Sequence, residues 1–378
     1  MLVPFLADLY ETKLRPDRPD TDWEALSEEI AFHSVSSQVY HMLRTTGQAA
    51  SVPPAFLAAL KGKAERVMFH NMLVRQETRA VLRALEREDI PAIPLKGALF
   101  SERYFGHIGA RGTSDVDLLV RPDDFGRAAD CVRSLGFRRE DAYHSLHYHA
   151  EYFKTLPAVG ESISVELHHN ILRKHTSVVD TQRLWREARA LVWEETVYEG
   201  CRELSFRHTF YVMCLHSSKH MMLSFKHVLD IAHLIYRQAD RIDYGDLFRL
   251  AEQDRTTGKV RAALSAVYRL FPGLHALLPF ERSAPVPLFG WSVIRDAQQG
   301  RKTGRYYAYI LAYPLLTLDT WSYRLKHLRY LALPPRDRVE RMLGEAGSSS
   351  PGLYWRLYKH RLKLWRSHRR ALLKKSRI

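Results

Sequence analysis

Two hydrophobic periods alternate along the chain. Over residues 1–90 apolar positions recur three and four apart. "DWEALSEEIAF" and "SQVYHMLRTT" are short amphipathic stretches, and the pattern from Pro54 to Glu88 predicts one long helix, ended by Pro91 and Pro94. The period then shortens. "AIPL" predicts a strand, "GALFSERYF" a helix, "SDVDLLV" a strand and "DDFGRAADCVRSLG" a helix closed by Gly136. "AEYFK" and "SISVELHHN" predict two strands joined by a Pro/Gly loop. This β-α-β-α-β-β order predicts an α+β fold, a small mixed sheet with helices on one side. From about Thr181 helical spacing returns in "TFYVMCLHSSKHMML" and "HVLDIAHLIYRQ", and the Pro-rich "FERSAPVPLFG" marks a surface connection. The expected organisation is an N-terminal helical region (1–90), a sheet core (91–175), a C-terminal helical domain (176–340) and a basic amphipathic tail (341–378).

Composition narrows the class. With 46% hydrophobic residues the chain can bury real cores and is not a disordered one. Cys131, Cys201 and Cys214 are scattered without a CxxC, so neither a disulfide framework nor a thiolate zinc site is suggested, which fits a reducing compartment. "MLVPFLADLYETK" has no basic leader and no small-residue cleavage site, so the expected location is cytoplasmic. The longest apolar run, Tyr306 to Leu318, is too short to span a bilayer and is expected to be broken by Pro314.

Net charge is +15, but Gly352 to Ile378 alone holds ten Lys or Arg and no acid, leaving about +5 for the rest. Bulk charge is therefore a weak argument for nucleic-acid binding. The tail predicts a helix with Ser350 as N-cap and Pro351 in its first turn, on which Trp355, Tyr358, Leu362, Trp365 and Leu372 form an apolar stripe among cations. Such a helix suits an anionic membrane surface, giving a peripheral location, or RNA. The duller alternative packs the stripe on its own domain.

Chemistry concentrates in the middle region. Side chains alternate along a strand, so Asp115 and Asp117 share one face while Val116 and Leu118 take the other. In "SISVELHH", Glu166 and His168 lie opposite the face of Ile163, Val165 and Leu167. If the two strands are neighbours, Glu166 completes a cluster of three carboxylates. Clustered carboxylates repel one another and resist desolvation, and a divalent cation removes that cost. Oxygen-only ligands favour Mg²⁺ or Mn²⁺, ions that commonly serve phosphoryl or nucleotidyl chemistry. The bland alternative is an edge strand with solvated acids. On the metal reading, Asp115→Asn with Asp117→Asn relieves repulsion in the metal-free protein and leaves its stability intact.

Together, "LKGALF…YFGHIGARGTSDVDLLV…DDFGRAADCVRSLGF…VELHHNI" resembles the uncharacterised bacterial nucleotidyltransferases of the DNA polymerase beta superfamily. The likeness extends to "LHSSKHMM", "HVLDIAHLI", "IDYGDL" and "YRLKHLRYLALPP", over roughly residues 30–335. It implies a nucleotidyltransferase-fold core and transfer of a nucleoside monophosphate from an NTP, ATP the expected donor, to an acceptor hydroxyl or phosphate with release of pyrophosphate. Asp115, Asp117 and Glu166 match its metal-binding acids. Lys96 and Gly97 stand where the wider superfamily has a Gly-Ser turn that cradles phosphates; Ala98 supplies no hydroxyl, and the gap from Gly97 to Asp115 is longer than usual. The acceptor class stays open among small molecules, sugars, peptides and proteins. Two other readings are an RNA-directed nucleotidyltransferase and a non-catalytic binding protein with a residual fold.

Further residues carry readings of their own. The loop "GARGTS" supplies Arg111 and Ser114; Arg111 suits a phosphate clamp or a structural ion pair. His168 is read as ordering Glu166, binding substrate or acting as general base. His216 and His220 lie one helical turn apart without the glutamate of a zinc-protease helix, so a role in packing or lining the cleft is expected, with Lys219 beside them and Asp230 as a partner. His144, His147 and His149 are read as a loop and strand face.

Overall fold

The computed structural model describes residues 1–15, 20–139, 148–157, 159–174, 176–281, 286, 288–344 and 352–363. By contact the chain divides into two units, Met1–Asp319 and Thr320–Ile378.

The first unit opens with α1 (Leu2–Tyr10), α2 (Trp23–Phe32), α3 (Ser36–Thr45) and the long α4 (Pro54–Arg87). Asp22 caps α2 by accepting from the Ala25 N–H at 2.9 Å, and Pro54 opens α4 where its missing N–H is not needed. β1 (Ala92–Pro94), α5 (Ala98–Phe105), β2 (Asp115–Val120), α6 (Phe125–Ser134), β3 (Arg138–Arg139), β4 (His149–Leu156) and β5 (Glu161–His168) follow. The five strands form one sheet in the order β1-β2-β5-β4-β3. β2 and β5 pair in parallel and the other neighbours are antiparallel, the mixed sheet expected. Gly136, at φ 86°, follows α6 and lets the chain turn back, as read from the sequence.

After β5 come α7 (Thr181–Glu187), then β6 (Arg189–Trp193) and β7 (Thr196–Glu203), an antiparallel hairpin. Helical spacing alone did not predict this hairpin. Its two-residue turn is Glu194-Glu195, both left-handed at φ 48° and 62°, where Asn-Gly would be the usual signal. The Glu194 carboxylate bonds Arg79 of α4 at 2.8 Å and also pairs with Arg75, which holds the turn. The helical half then runs through α8 (Phe206–Lys219), α9 (Phe225–Gln238), α10 (Tyr244–Gln253), α11 (Thr257–Leu270), α12 (Leu274–Leu277), α13 (Trp291–Gln298) and α14 (Gly304–Thr317). Ser205 caps α8 and Asp243 caps α10. Pro314 sits inside α14 rather than breaking it. Among the described residues no helix is long and apolar enough to cross a membrane.

Two cores hold this unit. Val116, Leu118, Ile163, Val165 and Leu167 face one way and pack with α4, α6 and the hairpin residues Leu191, Trp193 and Tyr198. The second core joins Ile93 and Leu119 to α1–α3 and to the helices from α8 onward, so the N-terminal helices share a core with the C-terminal half. The face carrying Asp115 and Asp117 is therefore the one turned toward the helical half.

The second unit contains α15 (Trp321–Ala332), α16 (Arg336–Leu343) and a helical stretch over 353–363. Val339, Leu353 and Leu357 make its small core. Trp355, Tyr358 and Leu362, three members of the predicted stripe, are exposed. Ser350, Pro351, Trp365 and Leu372, like His144 and His147, lie outside the described residues.

Candidate functional site

Parallel pairing brings the acids together. The register sets Asp115 opposite Ser164, Asp117 opposite Glu166 and Leu119 opposite His168, the neighbouring placement the sequence reading required. His168 Nε2 lies 3.1 Å from Asp117 Oδ1 and 3.2 Å from Glu166 Oε2, between the two carboxylates. Among the described residues Asp117, Glu166 and His168 form a group whose ligand atoms lie within 4.8 Å of one another. His149, opposite His168 on β4, stacks its ring on it at 5.1 Å.

Lys96 joins this face from the β1–α5 turn. Its ammonium lies 2.7 Å from Asp115 Oδ2 and 2.7 Å from Asp117 Oδ2. The contact to Asp115 is a hydrogen bond, whereas Asp117 Oδ2 is buried without one, so its charge is met while its lone pairs are not. Gly97, at φ 87°, makes the turn, and a Cβ there would come within 3.2 Å of the Asp115 carbonyl oxygen. Just before it, the Leu95 N–H donates to the Asp117 carbonyl at 3.0 Å, continuing the β1–β2 pairing. Ser114 is exposed, with its hydroxyl 3.4 Å from Asp115 Oδ1.

Electrostatics follow from burial and pairing. Burial opposes the charge of Lys96, but Asp117, Asp115 and Glu166 outweigh it and raise its pKa. Burial pushes Asp115 up, yet Lys96 brings it below the usual carboxylate range. Asp117 is raised, chiefly by burial, with the neighbouring acids adding to it. Burial would lower His168, but its bonds to Asp117 and Glu166 reverse the sign and raise it. Glu166 is held low against its burial by His168 and by Lys96.

The loop between α5 and β2 is longer than a simple turn and is pinned from three sides. The Asn71 amide of α4 donates to the carbonyls of Ile108 at 2.5 Å and Arg111 at 2.8 Å, and accepts from the Thr113 N–H at 3.0 Å. Ser101 Oγ donates to the His107 carbonyl at 2.9 Å. Arg111 donates bidentately to Asp230 of α9 at 2.7 and 2.8 Å, with both groups buried. Of the two readings of Arg111, phosphate clamp or structural ion pair, the contacts show the ion pair, which ties the loop to the helical half. Asp230 meets Arg111 rather than the histidine helix.

A cleft of about 370 Å³, open solvent included, lies between this face and α8, lined in part by Lys96, Asp117, His168, His216 and Lys219. His216, His220 and His227 cluster with ring centroids 4.7 to 5.0 Å apart. Burial lowers the pKa of all three, that of His220 to about 4 and that of His227 to about 3, so they stay neutral. Of the three, His216 lines the cleft, and none belongs to the metal-compatible group. Sequence reasoning missed Asn71 and Lys226. Burial, then the Arg111 charge, lowers Lys226 to about 8. The available signal was its position four residues before Asp230, on the same face of α9.

Asp117, Glu166 and His168 form a group that could hold a metal ion. Asp117 keeps a buried oxygen with no hydrogen bond, and the carboxylates of Asp115 and Glu166 share its face. His168 Nε2 lies between the Asp117 and Glu166 carboxylates. No curated protein and no solved structure matches the chain. The sequence model of the family described as uncharacterised nucleotidyltransferase matches residues 19–272. That match covers more than half of the chain, taking in the whole sheet and α8 to α11, and the protein belongs to this family.

Proposed function

We propose that the protein moves a nucleoside monophosphate from an NTP, with ATP the expected donor, to an acceptor hydroxyl or phosphate on a small molecule, sugar, peptide or protein, releasing pyrophosphate. The observation that carries the reading is the register that sets Asp117 beside Glu166 on the face of Asp115. Asp115, Asp117 and Glu166 would hold Mg²⁺ or Mn²⁺, which when bound would neutralise charge on the reacting phosphate and acidify the acceptor hydroxyl. Glu166 is held ionised by His168 and Lys96, which would let it share the ion on the acceptor side and so help deprotonate the acceptor hydroxyl. His168 holds Asp117 and Glu166 in register by donating to them. Gly97 lets the backbone approach phosphate, with Lys96 and Ser114 beside it. Lys219 lines the cleft on the helical side and would supply the cation there that Arg111, bound to Asp230, does not, while the Lys226 charge acts on Asp115.

Titration of Mg·ATP against the protein, followed by single-turnover labelling with NTPs, tests the reading. Glu166→Gln is expected to cut turnover at least about a hundredfold while Mg·ATP affinity stays within roughly tenfold, that is within about 1.4 kcal/mol. Wild-type turnover by Glu166→Gln would remove the role of Glu166. Absence of Mg·ATP binding would favour the non-catalytic reading.

For the second unit we propose an anionic membrane surface as partner, in preference to RNA. Exposed Trp321, Leu325, Trp355 and Leu362 interleave with cations there, a combination that favours a lipid interface.

A further inference from the structure

Lys96 Nζ sits 2.7 Å from one carboxylate oxygen each of Asp115 and Asp117, the point at which a shared cation would bridge them. Glu166 adds its charge to the same ammonium. The protein thus carries a positive charge of its own between its metal-binding acids. An ammonium fills that point imperfectly. It must aim each N–H at an oxygen, and it serves Asp115 but leaves Asp117 Oδ2 without a hydrogen bond. A divalent ion has no hydrogens to aim and twice the charge. Both cations cannot hold the same two oxygens.

We propose that Lys96 is an exchangeable counter-cation: it holds Asp115 and Asp117 in the protein alone, and gives way to a divalent ion as it turns to the phosphates that arrive with that ion. This rests on the nucleotidyl-transfer reading and adds a coupling to it. The lysine stem has four rotatable bonds, and Lys96 lines the cleft beside Lys219, so an open space adjoins it. Leaving the acids without a new partner strands a charge in a largely buried place, whereas a triphosphate supplies that partner. Metal alone therefore binds weakly, since it must expel a cation for no return. Metal and nucleotide together bind cooperatively, and by linkage each strengthens the other by the same factor. The glycine after Lys96 fits this use, because its left-handed turn anchors the backbone while the side chain changes partner.

The test reads Mn²⁺ binding directly, by electron paramagnetic resonance of the free ion, with no nucleotide present. Lys96→Met and Lys96→Gln remove the internal cation and are expected to bind Mn²⁺ at least about tenfold more tightly than wild type, a gain of about 1.4 kcal/mol. In metal-free buffer both variants should melt at lower temperature than wild type and recover on adding Mn²⁺, while wild-type melting responds little to Mn²⁺ alone. If either variant is unfolded without metal, its refolding on Mn²⁺ supports the exchange, and failure of both to refold overturns it. Unchanged or weaker Mn²⁺ affinity in both variants also overturns it. When that happens and wild type still binds Mg·ATP, only the exchange is lost. If neither Mn²⁺ nor Mg·ATP binds any of the three proteins, the nucleotidyl-transfer reading falls with it.

Discussion

At the scale of single residues, the position of Lys96 reverses the outcome expected for the acidic pair. Neutralising two clustered aspartates should relieve repulsion, but Lys96 lies between them and would lose both its ion pairs, with only the more distant Glu166 charge left to meet it. Asp115→Asn with Asp117→Asn is therefore expected to lower stability by about 3–5 kcal/mol in urea unfolding as well as to abolish transfer. Adding Lys96→Met to that pair should recover most of the stability and none of the activity; recovery of neither would mean the ion pairs contribute little. The acids, Glu166 and His168 were legible because alternation along two strands puts them on one face. The partner of Arg111 was not, since Asp230 lies 119 residues away and no local pattern encodes that meeting. His233 shows another long-range constraint. Its Nε2 lies 2.9 Å from the Tyr104 carbonyl, which can only accept, and its Nδ1 lies 2.9 Å from the Tyr10 hydroxyl, so the neutral ring donates at one nitrogen and accepts at the other. Burial lowers its pKa to about 4. A depressed base takes up its proton in the unfolded chain first, near pH 6.5, and in the folded one only near 4. Its stabilising contribution is thus full above pH 6.5 and is lost as pH falls toward 4, about 3 kcal/mol in all. Unfolding free energies measured from pH 7 to 4 should fall over that window, and less steeply in His233→Gln.

Helices and strands were read with uneven success for a physical reason. Long periodic segments such as α4 and strands with alternating faces are determined by local pattern, and β2 and β5 appear where the pattern puts them. The β6–β7 hairpin was hidden because its turn residues are glutamates in a conformation that glycine or asparagine usually fills. Tertiary ion pairs from Glu194 to Arg75 and Arg79 override that local preference. No ion pair or hydrogen bond of this kind is described for Glu195, which is exposed at φ 62°. Glu195→Gly should therefore raise stability, by about 0.5–1 kcal/mol, as the left-handed strain is relieved. The urea midpoint reports this, and a fall would mean that the loss of chain stiffness outweighs the strain. The loop from Gly106 to Ser114 was legible as a loop but not as a rigid one, because its order comes from Asn71, in an earlier helix, and from Asp230, in a later one.

Across the whole molecule, charge is distributed far less evenly than the total suggests. Residues 320–378 hold 16 of the 57 Lys and Arg and 3 of the 42 Asp and Glu, so they carry +13 of the +15. The unit that holds the candidate site is close to neutral, which suits a cleft that must admit an anionic nucleotide through local lysines rather than through a general field. The second unit places its cations beside exposed apolar side chains. Trp355 is 64% and Trp321 74% exposed, whereas among the described residues of this unit the buried apolar ones are Tyr323, Val339, Leu353 and Leu357. The described members of the predicted stripe, Trp355, Tyr358 and Leu362, lie outward rather than packed. A lipid surface uses both features, cations drawn to anionic headgroups and aromatic rings seated at the interface. On vesicles containing phosphatidylserine the full chain is expected to bind with steep salt dependence. Replacing Arg356, Lys359, Arg361 and Lys363 together by Gln removes roughly 1 kcal/mol per cation and should weaken binding by about two to three orders of magnitude at low salt. Trp355→Ala with Leu362→Ala should weaken vesicle binding further while leaving any binding to single-stranded RNA set by charge. Retention on RNA together with indifference to vesicles would replace the membrane by RNA, and indifference to both would leave this basic unit without the surface role argued for it. Transfer to a small acceptor should survive all these substitutions, since every residue given a part in the chemistry lies in the first unit.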